Sequence, residues 1–160
     1  MAKYQEYIIK VPRFCEENGF YTTKERSKLM SKIRSKETKP EQKLRKHLWH
    51  LGYRYRKNVK KLPGTPDIVF SKYKLVIFID GEFWHGHNWV EKKNKIKSNR
   101  EFWIPKIERN MQRDLANNTY YSENGWTVIR FWEHEIKSEF IICTNRILSY
   151  FEIRQIKSQF

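Results

Sequence analysis

The stretch Asp67-Ile68-Val69-Phe70-Ser71-Lys72-Tyr73-Lys74-Leu75-Val76-Ile77-Phe78-Ile79-Asp80 decides the architecture. Two short runs of β-branched and aromatic residues, parted by a polar turn from Ser71 to Lys74, predict a β-hairpin. The second run is apolar without interruption from Leu75 to Ile79, so this strand is expected to be buried on both faces. Antiparallel pairing about Lys72 places the start of the first strand beside the end of the second. Asp67 is therefore expected close to Phe78, Ile79 and Asp80. Whether the two aspartates share a face turns on the register, which a slip of one residue reverses.

Upstream of the hairpin, Leu62-Pro63-Gly64-Thr65-Pro66 is a turn built of breakers, and Tyr53-Arg54-Tyr55-Arg56 alternates like a half-buried strand. Further back, Thr38-Lys39-Pro40-Glu41 is a capping box with proline in the first turn. Leu44, Leu48 and Leu51 follow at helical spacing and Gly52 closes a short amphipathic helix. Residues 1–21 read as an extended arm with a turn at Asn18-Gly19, and residues 22–160 as one domain. Downstream, the aromatic and histidine-rich segment from Gly81 to Val90 is too interrupted by glycine for a regular element, and a basic linker follows it. Trp103, Ile104, Ile107, Met111 and Leu115 predict a helix that starts near Pro105. Trp126 to Trp132 reads as a strand, and Ile136, Phe140, Cys143, Ile147 and Phe151 as one last helix. The order predicts an α/β fold with a mixed β-sheet flanked by helices.

Charge narrows the class of partner. The 160 residues carry 33 Lys+Arg against 18 Asp+Glu, net +15, while 39% hydrophobic and 16% aromatic content speaks for a folded body. Lys24 to Lys61 holds 15 basic residues against 3 acids, and Lys92 to Arg113 holds 8 against 2, so the excess is confined to two stretches. Such segregation is the footprint of a polyanion, nucleic acid first. A membrane partner is not expected, because the longest apolar run, Leu75 to Ile79, is far too short to span a bilayer. The first residues lack the apolar region of a signal peptide, and Cys15 and Cys143 suit neither a disulfide framework nor a CxxC metal site. Both features agree with a reducing cytoplasm.

Several residues could carry chemistry. Asp67, after a Pro-Gly-Thr-Pro turn and at a strand entrance, is placed either to hold a hard cation such as Mg²⁺ or to cap its turn. Asp80 before Gly81 is a turn aspartate or a second carboxylate, and Glu41 is accounted for by the capping box. His85 and His87 lie outside any apolar periodicity, and an imidazole with a pKa near ~6.5 can move a proton at neutral pH. Phe83, Trp84, Trp89 and Trp103 are either core or wedges that stack in an opened base step between flanking lysines and arginines.

These residues stand in one order along the chain. Pro63-Gly64-Thr65-Pro66-Asp67 is followed by Val76-Ile77-Phe78-Ile79-Asp80-Gly81-Glu82-Phe83-Trp84-His85. Then come Glu101-Phe102-Trp103, Lys106-Ile107, Asn110, Arg113-Asp114, Gly125-Trp126 and Trp132-Glu133. Together with Thr23 to Met30 and Pro40-Glu41, the series resembles the very short patch repair (Vsr) mismatch endonucleases from about Thr22 to Ile136. The resemblance implies a restriction-endonuclease-like core acting on double-stranded DNA. It would nick one strand beside a T:G mismatch left by deaminated 5-methylcytosine, in a bacterial cytoplasm at the nucleoid. It implies Mg²⁺ bound by Asp67 and the backbone carbonyl of Ile79, His85 as the proton-transfer residue, and Glu41 acting through metal-bound water. It also implies Phe83, Trp84 and Trp103 intercalating, with Asp80, Asn110 and Asp114 supporting the site.

One departure concerns zinc. Where the best-known members bind a structural Zn²⁺ with Cys and His, this chain has Glu82, His87, Trp89 and His134, and tryptophan supplies no ligand. A four-ligand site does not fit, leaving either a polar cluster or a three-ligand site of Glu82, His87 and His134. Phe78 also stands where the wider superfamily has an acid. Two alternatives stay open beside the mismatch reading: a restriction or nicking endonuclease of the same fold on paired DNA, and a DNA-binding module without catalysis.

Overall fold

A computed structural model describes residues 7–34 and 36–157, so the first six residues of the expected arm lie outside the described residues. The chain packs as two compact units, Met1–Ile33 with Phe83–Leu115 and Arg34–Glu82 with Ala116–Phe160.

The second unit holds the sheet. β1 (Ile68–Phe70) pairs antiparallel with β2 (Leu75–Asp80), and β2 pairs parallel with β3 (Thr127–Trp132), giving a mixed sheet with β2 in the centre. Every residue of β2 is buried, as the unbroken apolar run requires. Ile68, Phe70, Leu75, Ile77, Ile79, Ile129 and Phe131 point to one face. They pack there on Leu44 and Leu48 of α2 (Lys39–His50), Ile136 of α5 (Glu133–Ser138) and Cys143, Ile147 and Phe151 of α6 (Phe140–Lys157). Val69, Val76 and Phe78 point to the other face, where Tyr121 from the end of α4 (Arg100–Glu123) covers them. Helices thus bury both faces.

The pairing of Val69 with Val76 fixes the register. Asp67 leaves this register: its N–H donates to the carbonyl of Ile77, which already pairs with Ile68, so two residues of the first strand stand opposite one of β2, as in a β-bulge. The 53–56 segment is not a strand: its only pairing is an isolated bridge between Arg56 and Val69. The expected last helix is two, α5 and α6, separated at Glu139.

The first unit holds the remaining elements. The arm makes a single 3-10 turn, Glu16–Asn18, closed by Gly19 at φ 76°, and leads into α1 (Lys24–Ser31), which Thr23 caps and which buries none of its residues. Two side-chain amides fasten the arm. The Nε2 of Gln112 donates to the Tyr7 carbonyl (2.7 Å) while its Oε1 accepts the Ile9 N–H (3.2 Å). Asn99 does the same to both backbone groups of Tyr21, at 2.8 and 3.4 Å. The expected basic linker contains α3 (Trp89–Lys95).

α4 starts at Arg100, earlier than Pro105 suggests, because the Asn99 carbonyl accepts the N–H groups of Phe102 (3.1 Å) and Trp103 (2.9 Å). Phe102 is held in that turn by contacts to Phe14 and Phe20, at centroid distances of 4.9 and 5.6 Å. The proline therefore costs one internal hydrogen bond without ending the helix.

Candidate active site

The candidate carboxylates of the sheet-bearing unit are gathered by the hairpin. The N–H of Asp67 donates to the Ile77 carbonyl (3.1 Å), one residue out of the strand register, and its Oδ2 accepts the N–H of Ile79 (2.8 Å). Asp67 is thus tied to the residue whose carbonyl was expected to share a metal with it. Burial pushes its carboxyl up to about 7. The Ile79 N–H opposes this, the Glu41 carboxylate adds to it, Arg45 opposes it, and Asp80 adds to it. Concentrated negative charge on a desolvated oxygen donor suits a small hard cation, so the residues present fit Mg²⁺.

The turn that delivers Asp67 is clamped by α4. The hydroxyl of Tyr121, fully buried, donates to the Pro63 carbonyl (2.8 Å). Gly64, at φ 75°, lies so close to Asn117 that an added Cβ would sit 2.6 Å from Nδ2. Glycine is required there both by its left-handed backbone and by the space.

Glu41 is 3% exposed and heavily bonded. Its N–H donates to Thr38 Oγ1 (3.4 Å), and its Oε1 accepts the Thr38 hydroxyl (3.1 Å). Its Oε2 accepts the Glu37 N–H (2.9 Å) and Arg45 Nη2 (2.7 Å). The capping geometry is therefore present, and the carboxylate bears on Asp67 through its charge. Asp80 is held by the guanidinium of Arg130, Nε to Oδ2 at 2.6 Å and Nη2 to Oδ1 at 2.9 Å. Arg130 also lies 4.6 Å over the Phe78 ring and donates to Asn118 Oδ1 (3.2 Å). Asp80 is thus an ion-pair partner of an arginine.

The candidate imidazole lies in the other unit. Nδ1 of His85 lies 2.6 Å from Oδ2 of Asp114. A carboxylate only accepts, so in this bond Nδ1 carries the proton. One turn back along α4, Asn110 Nδ2 donates to the Trp84 carbonyl (2.9 Å), and Arg113 Nη2 donates to Asn110 Oδ1 (2.6 Å). Gly86, at φ 70°, lies against Met111, whose sulfur an added Cβ would strike. Asn110 and Asp114, the expected support residues, thus fix the backbone before His85 and its ring. Phe83, Trp84 and Trp103 form a triangle of edge contacts, with centroids 5.2, 5.5 and 5.8 Å apart. None is fully buried, and Phe83 is 43% exposed.

A buried carboxylate and an Asp-oriented imidazole are groups that phosphodiester hydrolysis can use, and comparison with known proteins gives the family. The family model for DNA mismatch endonuclease Vsr matches residues 18–91. Type II nicking enzyme V.NmeDIP of Neisseria meningitidis serogroup C is 45% identical over 139 residues, which cover 87% of this chain and 94% of that protein. The chain belongs to the Vsr endonuclease family. Type II nicking enzyme V.HpaIIP of Haemophilus parainfluenzae is 53% identical over 116 residues, covering 72% of this chain and 82% of the relative. DNA mismatch endonuclease Vsr of Escherichia coli (strain K12) is 38% identical over 109 residues, covering 68% and 69%. The protein is accordingly a DNA endonuclease, a hydrolase, and its mixed sheet is the restriction-endonuclease-like α/β core of a Vsr protein. No helix among the described residues is long and apolar enough to cross a membrane.

At the positions where other Vsr proteins are expected to hold zinc, Glu82 and His134 bond to each other. Glu82 Oε1 accepts both the backbone N–H and Nδ1 of His134, each at 2.8 Å. Burial raises the Glu82 carboxyl, and its own backbone and His134 together outweigh this, leaving it below its usual range. His87 Nδ1 stands 3.3 Å from Lys92 Nζ, and Trp89 Nε1 donates to Glu108 (3.2 Å). Among the described residues no three His, Cys, Asp or Glu side chains are grouped to hold a metal.

Sequence reasoning missed Arg45, Arg130, Asn117 and Tyr121. Arg45 stands four residues after Glu41, a spacing that signals an ion pair on one helix face. Arg130 interrupts the apolar run of β3 on the face of Phe78, a charged residue that needed a buried partner. Nothing in the sequence marks Asn117 or Tyr121.

Proposed function

We propose that this enzyme nicks one strand of duplex DNA at a T:G mismatch in a Mg²⁺-dependent reaction, leaving a 5′-phosphate and a 3′-hydroxyl, in the cytoplasm of a bacterium. The observation that carries the reading is Asp67, a desolvated carboxylate tethered to Ile79 and crowded by the charges of Glu41 and Asp80. Asp67 and the Ile79 carbonyl are the groups that would hold Mg²⁺, which supplies charge neutralisation at the phosphate oxygens. Glu41 keeps Arg45 in place and adds negative potential at Asp67. Asp114 holds the His85 ring so that Nε2 can accept or deliver a proton. Phe83, Trp84 and Trp103 supply flat apolar surface for an opened base step, and unstacking is least costly where pairing is already weak.

The printed names of the nicking-enzyme relatives favour a second reading, strand cleavage at a paired sequence. Short duplexes identical except for T:G or C:G at one position separate the two when each strand carries its own label. Cleavage of one strand of the T:G duplex alone supports mismatch repair. Equal cleavage of the C:G duplex supports the paired-site reading.

A further inference from the structure

A second feature of the sheet-bearing unit shares only Arg45 and Glu37 with the candidate active site. After α2 turns at Gly52, the 55–57 segment returns along the helix and borders an open cleft of about 460 Å³. Gln42, Lys46 and Trp49 line it at helical spacing, and Tyr55 and Lys57 close the other side. Trp49 is 49% exposed, unusual for an indole with no core to fill. The Arg54 guanidinium lies 3.9 Å over its ring, and Tyr55 meets it edge-on at 6.0 Å. Arg45 forms part of the lining and is held by Glu37 (2.8 Å), the single acid present, which Lys57 also reaches at 3.1 Å. Asp67 is not among the lining residues. The cleft sits within the 24–61 stretch, where basic residues outnumber acids 15 to 3.

The geometry points to a binding site for one unpaired nucleotide of single-stranded DNA, its base against Trp49 and its phosphate between Lys46 and Lys57. The inference rests on the chain acting on DNA, and not on mismatch specificity or on the role of Asp67. An apolar protein partner would bring no negative charge to Lys46, and an inorganic anion would make no use of the indole. A paired base has its faces covered by its neighbours in the stack, whereas an unpaired one offers a face to an aromatic ring and a phosphate to lysine. The volume lies in the lower part of the ~300–1,000 Å³ range of small-ligand pockets. A strand opened at a nick supplies such a nucleotide.

The test uses the full ¹⁵N-labelled chain. The indole N–H resonance of Trp49 is assigned by its loss in Trp49→Phe, then followed during titration with hexathymidylate, an abasic hexamer of equal length, inorganic phosphate and a paired duplex. Hexathymidylate should shift it saturably, the other three should not, and Lys46→Ala should weaken the response about 10-fold. A resonance unmoved at a hexathymidylate concentration that saturates fluorescence anisotropy overturns the proposal. So does an equal shift by the abasic hexamer or the duplex. Strand nicking in the same preparation reports separately on the proposed function, so either reading can fail while the other stands.

Discussion

Nδ1 of His85 stands 2.6 Å from Oδ2 of Asp114, joining an irregular, glycine-containing segment to the middle of the longest helix. One turn earlier Asn110 holds the carbonyl of Trp84, so both the backbone entering His85 and its ring are set by one rigid face of α4. An imidazole on a loop thereby acquires the precision of a helix.

Asp114→Asn presents an amide to Nδ1, which favours the tautomer with its proton on Nε2 and removes the base. Single-turnover nicking should fall by about 100-fold, within the ~10²–10⁴ range of general acid–base catalysis, with duplex affinity unchanged. Because the pair acts as a unit, His85→Ala combined with Asp114→Asn should be little slower than His85→Ala alone. Nicking rates that multiply across the two changes would contradict the coupling.

Asp67 makes stability depend on pH in a direction opposite to most carboxylates. Its folded pKa, raised from 3.8 to about 7, means that the native state holds the proton more tightly than the unfolded chain. The stabilisation is complete below about pH 4 and is lost as pH rises through about 7, an effect of at most about 4 kcal/mol. Urea unfolding without metal should show Asp67→Asn gaining stability relative to wild type as pH goes from 4 to 8. A constant difference would show that the carboxyl titrates normally.

Tyr121→Phe keeps the buried ring and removes the hydrogen bond to Pro63, loosening the turn that carries Asp67. Half-saturation by Mg²⁺ should rise about 5-fold with nicking restored at high Mg²⁺, and Mn²⁺ binding measured by electron paramagnetic resonance should weaken in parallel. An unchanged metal dependence would leave Tyr121 a packing residue only.

Arg130→Met strands the carboxylate of Asp80, which is 6% exposed. The expected loss is about 3–5 kcal/mol in urea unfolding, much of it recovered by adding Asp80→Asn. A loss below about 1 kcal/mol, or no recovery, would mean that the pair is not the main support of Asp80.

How much was legible follows from what each element depends on. The hairpin, the capped helix at Thr38 and the approach of Asp67 to Ile79 are local consequences of pattern and turn chemistry, and they stand as expected. Tyr53 to Arg56 has the alternation of a strand and gains one bridge only, because alternation records half-burial and not pairing. The joined reading of α5 and α6 failed for a related reason. Ile136, Cys143, Ile147 and Phe151 all enter one core, so the apolar period runs unbroken through Glu139, where the backbone leaves the helix. Pro105 misled because aromatic packing on Phe102 and the Asn99 cap, both distant or specific to the fold, carry the helix start past it. Motif order singled out Asp67, His85 and Asp114, and the structure bonds Asp67 to Ile79 and His85 to Asp114. The clamps from Tyr121 and Arg130 were not, since their partners lie 58 and 50 residues away.

The central claim is that Asp67 holds the metal on which strand cleavage depends. Strand-resolved nicking of a T:G duplex should be compared for wild type and Asp67→Asn, in Mg²⁺ and in chelator, with duplex binding measured in parallel. The account predicts cleavage of one strand by wild type in Mg²⁺ only, and an Asp67→Asn protein that binds the duplex with undiminished affinity and leaves both strands intact. Nicking by Asp67→Asn at the wild-type rate, or by wild type in chelator, would contradict it.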